Sequence, residues 1–194
     1  MYNAAIWLRQ VDEKTGNRTK VDWRPFVLAQ ANSKEAADWK AWEHPPGENN
    51  RGLLALKANL AAARQGDENL GDFRLNLLRA RHEDRKDLTD IDVILDAAKD
   101  AGLDTGRLRE DMEDPGLLEI IADSHIEATE KFGAFGVPTF VFPNGESAFL
   151  KMFKPTPEES VELYDTLSKM MSQWHNIGEF KRPQPPWPAV VQPS

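Results

Sequence analysis

Phe135-Gly136-Val137-Pro138-Thr139-Phe140-Val141-Phe142-Pro143-Asn144-Gly145 is the stretch whose reading decides the fold. Upstream of it the apolar spacing is helical; here the period changes. Thr139–Phe142 is a short run of β-forming residues, Pro143-Asn144-Gly145 is a turn, and Ser147–Phe153 reads as the return strand. Asn-Gly between two such runs is a strong hairpin signal, because both residues tolerate the left-handed backbone of a tight turn. Pro138 stands at the entry to the first strand, where it cannot donate to a ladder. A Gly-x-Pro-Thr entry suits a cis X-Pro bond. Such an entry turns the Val137 backbone outward, leaving its N–H and C=O to pair with something extended. An ordinary trans proline opening a strand accounts for the same letters.

Downstream of the hairpin, Thr156-Pro157-Glu158-Glu159 is a capping box with proline at the first helical position. The spacing predicts a last helix that buries Val161, Tyr164, Leu167, Met171 and Trp174. A proline-rich tail follows over residues 177–194, read as extended and lying on the surface.

Upstream, residues 51–131 carry helical periodicity throughout. Leu53, Leu56 and Leu60 form one stripe, and Leu70, Phe73 and Leu77 a second. Ile91, Ile94, Leu95 and Ala98 form a third, with Thr89 or Asp90 as its cap and Gly102 past its end. Asp114-Pro115 opens the last helix of the block, a capping acid followed by proline. Nearer the start, Ala4, Leu8 and Val11 predict a helix over residues 1–14, with Asn3 as a local N-cap and Gly16 as the stop. Val21, Trp23 and Val27 alternate with polar residues, so 21–28 reads as a strand, confined to a sheet edge by Pro25.

Composition narrows the function. Lys and Arg number 24 against 32 Asp and Glu, a net charge of −8, which argues against nucleic acid as a partner and against a polybasic membrane anchor. No apolar run approaches the roughly 20 residues that span a bilayer. Cysteine is absent, so the chain as given holds no disulfide, no thiolate metal site and no Cys nucleophile. No secretory leader is visible at the start, and the cytoplasm is the default setting.

Phosphate loops, dinucleotide fingerprints, zincin motifs and nucleophile elbows are all missing. The four His stand at 44, 82, 125 and 175, with no metal-ligand spacing. His125, flanked by Asp123, Ser124 and Glu127, has the residue type of a general base, although a lone helical His is more often structural. Arg79, Arg81, His82, Arg85 and Lys86 are interleaved with acids and read as a solvated helix end rather than an anion site. Gly133-Ala134-Phe135-Gly136 matches a nucleic-acid GXXG loop in letters only.

Val137-Pro138-Thr139-Phe140 before a hairpin and a last helix resembles the cis-proline segment of the thioredoxin fold. The long helical block ahead of it resembles the DsbA-like branch. Val21-Asp22-Trp23-Arg24-Pro25-Phe26, Leu77-Leu78-Arg79-Ala80-Arg81, the run 133–142 and Lys181-Arg182-Pro183 are similar to cytosolic DsbA-family oxidoreductases, a branch related to 2-hydroxychromene-2-carboxylate isomerases.

The resemblance implies an α/β, thioredoxin-like fold. Its core would comprise residues 1–50 and 132–176, with an inserted helical subdomain at 51–131 and the tail at 177–194. It implies thiol–disulfide exchange as the activity and Val137, Pro138 and Thr139 as substrate-binding residues. The substrate is then a protein thiol or disulfide, or a small molecule. No cofactor and no metal are implied. Such proteins begin with a strand leading into Cys-x-x-Cys at the start of the first helix, where the low-pKa thiolate attacks. Tyr2-Asn3-Ala4-Ala5 is similar to the segment after the second Cys. The first strand and both thiols are therefore expected to be missing through an N-terminal truncation, and no residue here inherits a catalytic role. Two alternatives stay open: a non-redox binding protein using the Val137-Pro138 groove, and a glutathione-dependent isomerase-like relative.

Overall fold

The computed structural model describes residues 1–36, 38–45, 47 and 50–181. The proline-rich tail from residue 182 onward, and with it the Arg182-Pro183 part of one quoted motif, lies outside them. Eight α-helices and two strands follow in order among the described residues. They are α1 Tyr2–Thr15, α2 Leu28–Ala31, α3 Leu53–Ala63, α4 Leu70–His82, α5 Ile91–Asp100, α6 Thr105–Asp111, α7 Gly116–Phe132, β1 Thr139–Val141, β2 Ser147–Phe149 and α8 Ser160–Gln173, with one 3₁₀ turn at Ala41–Glu43. The chain divides into two compact units. Of the described residues, the first holds Met1, Asn3–Asp22 and those from Phe132 onward; the second holds Tyr2 and those of Trp23–Lys131.

In the second unit, the span 51–131 contains five helices and no strand. Its core forms because α3 presents Ala55, Ala58, Ala61 and Ala62 on its buried side. Small side chains let the neighbouring helices approach, and Phe73, Leu77, Ile94, Leu108 and Leu117 fill the space against them. Acidic caps set the helix starts. The Asp90 carboxylate accepts the Asp92 N–H at 2.9 Å, Asp104 accepts Arg107 N–H at 3.0 Å, and Asp114 accepts Gly116 N–H at 2.8 Å.

The segment 21–28 is not a strand. It runs without a ladder until Val27, which caps α2. Its backbone groups go to side chains of α7 instead: Ser124 Oγ donates to the Pro25 carbonyl at 2.8 Å, and the Val27 N–H donates to His125 Nδ1 at 3.2 Å. With Pro25 unable to donate and these groups taken, no ladder forms.

In the first unit, α1 ends at Gly16 in the left-handed conformation, φ 69°, which costs glycine nothing. Asn3 is not its N-cap. Met1 holds that position, and Asn3 Nδ2 donates to the Met152 carbonyl at 3.1 Å. Trp7 is completely buried. Its indole N–H donates to the Ser160 carbonyl at 2.9 Å, and its ring lies 5.8 Å from Tyr164 and, edge-on, 6.3 Å from Phe140. One side chain therefore ties α1 to β1 and α8.

The hairpin pairs Thr139 with Phe149, Phe140 with Ala148 and Val141 with Ser147, antiparallel. Gly145 takes φ 88° and donates to the Phe142 carbonyl at 2.9 Å, closing the Asn-Gly turn. The return strand is shorter than the sequence predicts, Ser147–Phe149, although Leu150 N–H still reaches the Pro138 carbonyl at 3.1 Å.

Glu159 accepts both the Thr156 N–H (3.2 Å) and the Thr156 hydroxyl (2.9 Å) at the entry to α8. That helix does not bury its apolar stripe. Only Ser160 is buried, Val161, Tyr164, Leu167 and Met171 are half-buried, and Trp174 is 46% exposed. The reason is width. Two strands stand about 5 Å apart, and a helix with its side chains is about 10 Å across, so a two-stranded sheet covers only part of one helix face.

Trp7→Ala should destabilise the protein by about 3–5 kcal/mol, the cost of a large buried cavity, with the Ser160 carbonyl losing its partner as well. Urea unfolding of the two proteins checks this. Trp7→Phe, which keeps most of the volume but not the N–H, should lose less.

Candidate functional site

The segment 136–142 is built by alternation along a strand. Bonds to the second strand come from Pro138, whose carbonyl accepts Leu150 N–H, and from Phe142, whose N–H donates to the Glu146 carbonyl at 2.8 Å. In an antiparallel ladder, successive residues direct their main-chain groups to opposite edges. The N–H and C=O of Thr139 and Val141 therefore point away from β2. The sheet has two strands, in the order β1-β2, so that edge of β1 carries no partner strand among the described residues. Val137, just ahead of β1, continues it: neither its N–H nor its C=O has a hydrogen-bond partner among the described residues. The Val137–Pro138 peptide bond is cis.

Val137, Pro138 and Thr139 are all half-buried. The approach to them is fixed by Thr139 Oγ1, which donates back to the Gly136 carbonyl at 2.8 Å. Gly136 is held close: a Cβ on it would stand 3.1 Å from Phe149 Cε2. Phe149 in turn packs on Phe135, ring centres 4.9 Å apart. Phe135 is 67% exposed, an apolar side chain two residues ahead of Val137 in the chain. After β2 the chain leaves Pro138 at Leu150 and two residues later offers the Met152 carbonyl to Asn3, in the first turn of α1. Val137–Thr139 and the start of α1 are thus joined through one short extended stretch.

His125 is no general base. It is 4% exposed, its Nδ1 accepts the Val27 N–H, and its ring packs on Phe26 at 4.6 Å and Trp42 at 5.5 Å. Accepting at Nδ1 makes it the neutral tautomer with its proton on Nε2. Burial, and to a lesser degree the charge of Lys40, holds its pKa below the ordinary histidine value. Its work is to hold the segment 25–27 on α7. Arg79, Arg81, His82 and Arg85 are exposed on and just beyond the end of α4. Sequence periodicity missed the open edge, because the feature depends on which residues of a strand spend their hydrogen bonds on a neighbour.

A helix-rich chain with an antiparallel hairpin entered through a proline, followed by a helix packed on it, has the parts of a thioredoxin-type domain with a large helical portion. The family model of the DSBA-like thioredoxin domain matches residues 2–158, well over half of the 194 residues, and the chain belongs to that family. None of the curated proteins compared with it matches. The family is one of thiol–disulfide oxidoreductase-like proteins, and these 194 residues contain no cysteine. No helix among the described residues is long and apolar enough to cross a membrane.

His125 gives stability a pH dependence of known sign. The unfolded chain binds a proton near the ordinary pKa of about 6.5, and the folded chain only at lower pH. Its contribution is complete above pH ~6.5 and shrinks as pH falls below it. Comparing chemical unfolding at pH 7.5 and pH 5 should show the wild type losing stability towards acid, and His125→Gln, which can still accept the Val27 N–H, losing less. His125→Leu should cost about 1–3 kcal/mol at pH 7.5, because it strands that N–H.

Proposed function

We propose that this domain is the substrate-handling part of a DsbA-family thiol–disulfide oxidoreductase and is redox-inactive in these 194 residues. The observation that carries the reading is the unpaired edge running through Val137, Thr139 and Val141. Open main-chain groups on a strand edge recognise extended chain by strand addition. In this reading Val137, Pro138 and Thr139 take the backbone of a substrate, an extended segment of a protein thiol or disulfide, with Phe135 as an apolar flank. The neighbouring groups of Val141 take a further strand, contributed by residues outside these 194 or by another chain. The thiols of the exchange reaction come from there too. Exchange needs a thiolate to attack a disulfide sulfur, and no side chain here can supply one. The cytoplasm, where structural disulfides are rare, is the setting of this reading.

Two measurements test it. The purified 194-residue chain should give no turnover of a disulfide substrate at any pH; turnover free of contaminating enzymes contradicts the reading. Titration with a reduced, unstructured, apolar-rich peptide should shift the backbone amide resonances of Val137 and Thr139 saturably. Shifts confined to other surfaces, or no binding at all, sink the substrate-handling role.

A further inference from the structure

The second unit holds an arginine with no anion. The Arg74 guanidinium, on α4, lies over the Trp23 indole with its carbon 4.8 Å from the ring centre. Trp23 and Arg74 are both half-buried. Arg74 makes no hydrogen bond and no ion pair with any described residue. Arg81 and Arg85 likewise make no ion pair with a described residue, but they are exposed, whereas Arg74 is half-buried in a chain whose acids outnumber bases 32 to 24. Other arginines find carboxylates: Arg24 with Glu127, Arg64 with Asp111 and Asp114, Arg107 with Asp111, Arg18 with Asp165. Burial pulls the pKa of Arg74 down to about 10, so the group remains a cation at neutral pH.

A guanidinium stripped of part of its water without a counter-ion is an unfavourable arrangement. The indole face offsets some of that cost through the cation–π attraction. The contact with the ring leaves the N–H donors without a hydrogen-bond partner among the described residues. The five N–H donors lie in the plane itself, in a fork that matches two oxygens of a planar or tetrahedral oxyanion. Partial desolvation strengthens any such pair relative to one in open water. The orientation of the arginine is set before a ligand arrives, which lowers the entropy lost on binding.

We propose that Arg74, held over Trp23, is a receptor for an oxyanion, a carboxylate or phosphate group of a small ligand. The site lies wholly within the second unit. It does not depend on the function proposed above.

Inorganic phosphate and acetate are the probes, each titrated into the full chain at constant ionic strength balanced with sodium chloride. Wild-type protein should show a saturable shift of the Arg74 side-chain Nε–H resonance and a rise in thermal midpoint with one of the two probes. A response to phosphate assigns the ligand group as phosphate, and a response to acetate as carboxylate. Arg74→Gln should bind the responding probe about tenfold or more weakly, the loss of a charged hydrogen-bonded pair. Without the probe it should melt no lower than wild type, because it removes an uncompensated charge. A structural arginine would behave in the opposite way. A lower midpoint for Arg74→Gln with no saturable response to either probe in the wild type overturns the proposal, as does equal binding by wild type and variant. Should Arg74→Gln fail to fold, the wild-type Nε–H titration decides alone: a saturable shift supports the site, and a flat response to both probes ends it.

Discussion

The hydrogen bond from the Trp7 indole to the Ser160 carbonyl fixes the part of the molecule on which the functional reading rests. A buried indole N–H must find an acceptor, and the one it finds is at the first residue of α8. Phe140 and Tyr164 complete the contact surface of the same ring. That one side chain sets the position of β1 relative to α1 and α8. The hairpin is only three residues long in each strand, too little to be stable alone. It is ordered because Trp7 and the turn hold its two ends. With β1 pinned on one side by β2 and from one face by Trp7, the direction of the unpaired groups at its outer edge is determined as well.

Much of this was legible in the residues. The Asn-Gly turn and the Asp114-Pro115 start are local signals whose physics needs no tertiary context, and each marks a real boundary; the Thr156–Glu159 pair forms as well, but α8 begins only at Ser160 with Glu159 as its N-cap, so Pro157 is not its first residue. The helical block was legible because its stripes repeat at 3.6 residues. What failed depended on partners far along the chain. The alternation at 21–28 has the look of a strand, but a strand is defined by a neighbour, and here Ser124 and His125 take the backbone groups first. The stripe on α8 has the right spacing to be buried, yet burial depends on how wide a sheet lies beneath it. His125 was legible as a histidine worth weighing; its structural role rests on one bond to Val27 and two aromatic neighbours, none of them adjacent in sequence.

The same distinction applies to the candidate site. Val137, Pro138 and Thr139 stand out in the sequence because proline at a strand entry demands an explanation. That Thr139 and Val141 extend the unpaired edge follows only from the register, which puts Pro138 and Phe142 on the bonded side. Chemistry and geometry then divide cleanly. The geometry offers main-chain donors and acceptors to an extended partner, and the side-chain inventory offers no nucleophile for the family's reaction. An open strand edge is a ready template for pairing with another strand, which is a physical reason for a partner strand to occupy it.

Residue-resolved amide hydrogen exchange in the free 194-residue chain tests this account most directly. Phe142 and Leu150, whose N–H groups are bonded to Glu146 and Pro138 carbonyls, should exchange slowly. Thr139 and Val141, in the same hairpin but facing the open edge, should exchange much faster, together with Val137. Protection of Thr139 and Val141 as strong as that of Phe142 and Leu150 would mean that the edge is already paired, and the account would be wrong.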